Sequence, residues 1–208
     1  MITTIHPTYF PSIAHYVLFA KSAHVVFEME DNFQKQTYRN RTYIYGANGK
    51  LMLNVPVRHS KKDKNQKYKD IPIANETAWQ RLHWKSLESA YRTSPYFEYY
   101  EDELKPLFEK RYTRLIDLNF DTIHAINECL QLEIETSKTQ EYQSIITAEN
   151  SKDFRKLANV KKEPNHGFDT YTQVFEARHG FIPNLSILDL LFNEGTNAIT
   201  YLEQQTIL

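Results

Sequence analysis

Ile2-Thr3-Thr4-Ile5-His6-Pro7-Thr8-Tyr9-Phe10-Pro11-Ser12-Ile13-Ala14-His15-Tyr16-Val17-Leu18-Phe19-Ala20-Lys21-Ser22-Ala23-His24-Val25-Val26-Phe27-Glu28-Met29 is the stretch on which the fold turns. Ile2 to Ile5 is β-branched throughout and reads as a strand. Pro7 and Pro11 bracket a turn. Phe10 to Ser22 places Ile13, Val17, Leu18, Phe19 and Ala20 at helical spacing and reads as an amphipathic helix. His24 to Met29 is a second strand, rich in β-branched and aromatic residues. Strand, helix and strand in that order imply a parallel βαβ unit. The turn from such a strand into a helix N-terminus is where α/β folds hold anions. His15 is a candidate phosphate contact there; the alternative is a proline-defined helix start with a surface histidine.

Downstream, Thr42–Tyr45 and Leu51–Val57 flank Gly46-Ala47-Asn48-Gly49, a hairpin signal. A lysine-rich loop, Arg58 to Lys69, precedes a short strand candidate at Ile71–Ile73. Helical spacing then governs Asn75–Arg92, Tyr96–Arg111 and Tyr112–Leu130. Residues 133–170 carry little periodicity and read as an exposed or mobile excursion. A last buried helix is expected over Leu185–Asn193, with Asn184 as its cap and Gly195 at its close. The expected class is α/β: an N-terminal βαβ unit with a mixed sheet and a β-hairpin, followed by a largely helical C-terminal half. One domain over 1–208 is expected, with an α/β part at 1–75, a helical part at 76–132, a variable excursion at 133–170 and a C-terminal segment at 171–208.

A net charge of −1 over 208 residues supplies no basic field, so nucleic acid is not an expected partner. Cys129 is the sole cysteine, which excludes an intramolecular disulfide. It falls in an apolar helical pattern and reads as an inert core thiol. The N-terminus lacks a signal-peptide pattern and no run is apolar enough to span a membrane, so a cytoplasmic protein is expected. Metal-ligand spacing is absent; His166 and His179 have no matching carboxylates. Walker, Gly-x-Ser-x-Gly and Gly-x-Gly-x-x-Gly patterns are also missing, and no cofactor is expected.

Two polar segments stand out. Gln34, Lys35, Arg39, Asn40 and Arg41, just after Glu30 and Asp31, combine phosphate-binding cations with amides that read hydroxyls. They suit a phosphorylated sugar or nucleotide, or else form a solvated connection. Near the C-terminus, Arg178-His179-Gly180 precedes an apolar helix. His179 can act as a general base with Asn184 and Asp189 orienting it or the substrate; alternatively Gly180 makes a tight turn at positive φ. Asp189 in that apolar helix needs a partner, and Arg178 or Arg41 would serve. His83, between Trp79 and Trp84, belongs to a sugar platform or a core stripe. Lys61, Lys62, Lys64, Lys67 and Lys69 attract phosphates or form a solvated loop.

Pro7-Thr8-Tyr9-Phe10-Pro11, Glu30 ahead of Gln34-Lys35 and Asn40-Arg41, and Val55-Pro56-Val57 resemble the WbqC-like family. So do Trp79, His83-Trp84, Pro95-Tyr96-Phe97, Gln173-Val174-Phe175, Arg178-His179-Gly180-Phe181, Pro183-Asn184-Leu185-Ser186 and Asp189 to Asn193. Many members open His-Gln-Pro where this chain has Ile5-His6-Pro7, so the resemblance assigns His6 no role. It implies a transferase of bacterial surface polysaccharide or lipopolysaccharide synthesis, acting on an activated sugar or attaching an acyl or aminoacyl group to one. On that resemblance the expected substrate-binding residues are Tyr9, Glu30, Gln34, Lys35, Asn40, Arg41, His83 and Asn184. The expected catalytic residues are His179, for the proton, and Arg178, for developing charge. His15 is catalytic only in a nucleotidylyltransferase-like alternative in which it converges with His6, and Ala14 stands there where such enzymes carry glycine. A non-enzymatic binding or assembly module with an exposed apolar patch around Phe181 to Phe192 is the other alternative. Either enzyme takes a small-molecule substrate; the oligomeric state is left open.

Overall fold

β1 (Ile2–Ile5) and β2 (His24–Phe27) pair in parallel, Ile2 opposite His24 and Ile5 opposite Phe27, with α1 (Ile13–Lys21) as the crossover. The computed structural model describes residues 1–58 and 65–207. The lysines at 61, 62 and 64 lie outside these. The expected amphipathic helix is buried on every side from Ile13 to Phe19, because α7 (Ile187–Glu194) and α8 (Ala198–Gln204) cover its outer face.

Two further strands complete the sheet, β5 (Thr136–Lys138) beside β2 and β6 (Ser151–Asp153) beside β1, giving the parallel order β5-β2-β1-β6. Both come from the 133–170 segment. Most residues of that segment up to Asp153 are exposed, yet their main chain extends the sheet at both edges. Between β2 and β5 the chain builds a separate antiparallel hairpin, β3 (Arg41–Gly46) and β4 (Gly49–Asn54), closed by the two-residue turn Ala47-Asn48 with Gly49 at φ 95°.

α2 (Trp79–Tyr91) packs on β3. The helix expected over 96–111 is two helices, α3 (Phe97–Leu104) and α4 (Pro106–Glu109), since Pro106 offers no N–H to the preceding turn. α5 (Leu115–Leu130) ends at Gln131, which is left-handed at φ 53°. A short turn of helix, α6 (Glu176–His179), precedes α7.

One apolar core runs through the molecule and joins α1, the sheet, α2, α5 and α7. Trp79, beside Tyr9 and His83, and Trp84, beside Phe97 and Phe108, lie inside it, so they wall the core and not a sugar platform. Among the described residues no helix is long and apolar enough to cross a membrane.

Candidate functional site

In a parallel sheet, ligands settle beyond the carboxyl ends of the strands, where the strand order reverses. Here that point lies between β1 and β6. The chain runs from β1 outward to β2 and β5, then crosses to β6 on the far side. A cleft of about 210 Å³ opens there, lined by His6, Asp31, Gln34, Arg39, Arg155 and Lys156 among others. His6 directly follows β1, Asp31 follows β2, and Arg155 follows β6.

The segment carrying Arg39 is strapped in place. Tyr9 N–H donates to the Tyr38 carbonyl at 3.1 Å, Tyr38 N–H to the Ala158 carbonyl at 2.9 Å, and the Asn119 amide to the Arg39 carbonyl at 2.8 Å. Arg39 is thereby only 2 % exposed, its guanidinium 5.5 Å from the Tyr68 ring centre. Its Nη2 donates to Asp31 Oδ2 at 2.8 Å and to His6 Nε2 at 2.7 Å, while its buried Nε has no partner among the described residues.

His6 is held from both sides. Nδ1 lies 3.2 Å from the Arg155 carbonyl, which can only accept, so Nδ1 carries the proton of the neutral ring. Nε2 lies 2.9 Å from Asp31 Oδ2 as well as against Arg39. It must be bare to accept from the guanidinium and protonated to satisfy the carboxylate. Burial first, then the Arg39 charge, lower the pKa of His6; Asp31 opposes them. Burial alone would raise Asp31, but His6 and Arg39 together hold its carboxyl below the usual range. At neutral pH the site is therefore a neutral imidazole between a carboxylate and a guanidinium.

Arg155 is fully engaged. It donates to Asp153 at 2.9 and 2.6 Å, to Glu28 at 3.2 Å, and to the carbonyls of Gln143 and Ser144. It ties the 139–150 segment to the sheet. Lys156, next in the chain, is exposed, faces the cleft and has no ion-pair partner among the described residues.

The structure scatters the residues singled out from sequence. Gln34 lines this cleft, whereas Lys35, Asn40 and Arg41 line a separate open cavity of about 400 Å³. Asn40 also donates to Asn54 and to the Val55 carbonyl. Glu30 accepts from Lys69 at 2.6 Å. Tyr9 is buried and its hydroxyl bonds His83 Nδ1 at 3.0 Å inside the core. His15 is wholly buried, Nδ1 on Ser12 Oγ at 2.9 Å; burial, then His6 and His166, push its pKa down to about 3.

Asn184 does not cap its own helix, where Ser186 does so through Leu188 N–H. Its Oδ1 instead accepts from Ala14 N–H at 2.8 Å, and Ile13 N–H donates to the Leu185 carbonyl at 3.0 Å. The start of α1 is thus occupied by the 184–185 segment. Asp189 has no arginine: Tyr91, Tyr171 and Gln173 donate to it at 2.7, 2.5 and 2.9 Å, and burial raises its pKa. Gly180 does take positive φ, 73°. His179 is exposed, with Nε2 2.9 Å from the Ala47 carbonyl at the hairpin tip. Arg41 stands at the other end of β3, roughly 17 Å away along a strand of ~3.3 Å per residue. A larger open groove of about 480 Å³ beside α8 is lined by hydroxyls, by the amides of Asn197 and Gln204 and by Glu176 and Glu194, with no cation or histidine among the described residues.

Asp31 and Arg39 belonged to the dense polar stretch, but nothing local distinguished them from their neighbours. Arg155 and Lys156 carried no sequence signal, since only the position of β6 brings them to the cleft. Among the described residues no group of His, Cys, Asp or Glu could hold a metal ion.

A model of the WbqC-like protein family matches residues 6–165. The uncharacterized protein Rv1507c of Mycobacterium tuberculosis (strain ATCC 25618 / H37Rv) is 28% identical over 225 residues, covering 97% of this chain and 96% of that one. No solved structure matches the chain.

Proposed function

Since the chain belongs to the WbqC-like protein family, we propose that it is a cytoplasmic transferase of bacterial surface polysaccharide synthesis that takes an activated sugar in the cleft between β1 and β6. The observation that carries this reading is the His6–Asp31–Arg39 cluster, its imidazole and guanidinium buried and its carboxylate half-buried, beside Lys156, which has no ion-pair partner among the described residues, at the carboxyl edge of a parallel sheet. Lys156 and Gln34 receive the phosphate of the donor, with Arg39 behind them in the cleft wall. An anion there competes for Arg39 and bares His6 Nε2. The acceptor then gives its O–H or N–H proton to Nε2, and Asp31 steadies the imidazolium that forms. The acceptor atom bonds to the sugar's anomeric carbon as the bond from that carbon to the phosphate oxygen breaks. The phosphate leaves with the electron pair, its charge offset by Lys156 and Arg39.

Two other readings draw less support. A nucleotidylyltransferase-like site needs a free N-terminus on α1, and Asn184 and Leu185 occupy it. A binding module needs an exposed apolar patch around Phe181 to Phe192; Phe181 to Pro183 are open in part, but α7 is buried from Ile187 to Asn193.

Thermal stabilisation by nucleotide-sugars, free nucleotides, sugar phosphates and acyl-CoA thioesters tests the proposal. A ligand at about a hundred times its Kd adds roughly 2.7 kcal/mol. The expected result is stabilisation by phosphate-bearing sugars that Lys156→Ala removes and His6→Gln retains. A shift confined to thioesters, or one untouched by Lys156→Ala, would overturn it.

A further inference from the structure

Arg41 opens β3 directly opposite Asn54 of β4, and both line an open cavity of about 400 Å³. It stands apart from the other arginines of the described residues. Arg39, Arg58, Arg92, Arg114 and Arg155 each meet a carboxylate. Arg81, Arg111 and Arg178 meet none and are exposed. Arg41 is half-buried and still has no ion-pair partner among the described residues. Taking an uncompensated charge partly out of water is costly, and a bound counter-charge offsets that cost.

The guanidinium presents one edge to a ligand. Its Nε is buried, without a partner among the described residues, and lies out of reach. Nη1 and Nη2 are neither closed off in that way nor bonded within the described residues. Side by side they form a fork that matches the two oxygens of a carboxylate or a phosphate.

The rest of the lining agrees. Lys35 is exposed, borders the cavity and meets no carboxylate among the described residues. Asn54 accepts from the Asn40 amide through Oδ1 at 3.2 Å, which leaves its own N–H groups to donate. Gln36 adds a further amide, and Phe33, Pro56 and Val57 supply an apolar wall. Among the described residues no Asp or Glu lines this cavity. In the β1–β6 cleft, by contrast, Arg39 and Arg155 are already matched by Asp31, Asp153 and Glu28. A lining rich in donors and free of carboxylates selects an oxyanion over a cation.

We propose that this cavity is a second oxyanion site, in which Arg41 grips a carboxylate or phosphate end-on through Nη1 and Nη2 while Lys35, Gln36 and Asn54 complete the shell. The site uses neither Lys156 nor His6, so it stands whether or not a sugar phosphate binds in the cleft.

The buried Nε–H of Arg41 reports on its own fork. Its resonance, assigned through the side chain's own correlations in the ¹⁵N-labelled full chain, is followed as sodium phosphate or sodium acetate is added. Sodium chloride at equal ionic strength is the control. The expected result is a saturable shift with phosphate, acetate or both, and none with chloride; the tighter probe identifies the oxyanion. The shift should persist in Lys156→Ala, which separates this site from the cleft. Calorimetric titration of Lys156→Ala with the tighter probe should weaken about tenfold when Arg41→Lys is added, since lysine keeps the charge and loses the fork. Adding Arg41→Gln instead should abolish binding, with the melting temperature as the folding control. An Arg41 Nε–H signal that neither probe moves, or that chloride moves equally, would overturn the proposal. So would a shift that vanishes in Lys156→Ala.

Discussion

At His6 two opposing pulls act on one nitrogen. The proton on Nδ1 is fixed by the Arg155 carbonyl, so the only site left to protonate is Nε2, which Arg39 resists and Asp31 favours. Their signs can be read separately. NMR titration of the wild-type His6 ring should give a midpoint below 6.5, the ordinary histidine value. Arg39→Gln removes a cation and should move the midpoint up. Asp31→Asn removes the carboxylate that stabilises the charged ring and should move it down. Two shifts of the same sign would show that the cluster is not coupled in this way. Removing Arg39 also leaves Asp31 half-buried without its cation, so its carboxyl should titrate at a higher pH than in the wild type.

At the level of elements, the start of α1 depends on residues about 170 positions downstream. Asn184 stands at φ 50°, a left-handed conformation that asparagine tolerates better than most residues, and caps α1 through Ala14 N–H. Asn184→Ala should lower the free energy of unfolding in urea by about 1–2 kcal/mol, from the lost cap and the strained φ together. Asn184→Gly, which relieves the strain but not the cap, should fall between alanine and wild type. Equal stability of all three would remove Asn184 from the packing of α1. This long-range cap also marks where the sequence ceases to be informative. β1, α1, β2, the β3–β4 hairpin, α2, α5 and α7 follow from local apolar period and from turn chemistry at Pro7, Asn48 and Gly49. β5 and β6 do not, because Thr-Ser-Lys and Ser-Lys-Asp have no apolar alternation and become strands only by pairing with β2 and β1. The cleft shares that limit. The polar density of residues 30–41 was visible, but which of them face inward depends on the straps at Tyr38 and Asn119. Arg155 and Lys156 enter only because β6 lies beside β1.

Across the whole molecule, buried titratable groups set how stability depends on pH. His6, His15 and His83 are each at least 94 % buried and remain neutral in the folded state; burial takes His15 to about 3 and His83 to about 4. In the unfolded chain all three titrate near 6.5. Below that value the unfolded state binds more protons, so the stability they contribute is intact above about pH 6.5 and is lost as pH falls toward their folded values. His83 alone should forfeit roughly 2–3 kcal/mol between pH 7 and pH 4.5, at 1.36 kcal/mol per unit. Asp189 acts in the opposite direction. Its raised pKa makes its contribution fully present below the ordinary carboxylate range and lost as pH rises through the folded value, so it softens the acid loss without reversing three histidines. Urea unfolding followed from pH 7 to 4.5 should therefore show stability falling by several kcal/mol. His83→Asn should start lower at pH 7, having lost the contact with Tyr9, and fall less steeply. Asp189→Asn should fall more steeply than the wild type, because the carboxylate that gained by protonation is gone. A wild-type profile flat over this range would mean that the three imidazoles already carry protons in the folded protein, and a neutral His6 awaiting a substrate proton would fall with it.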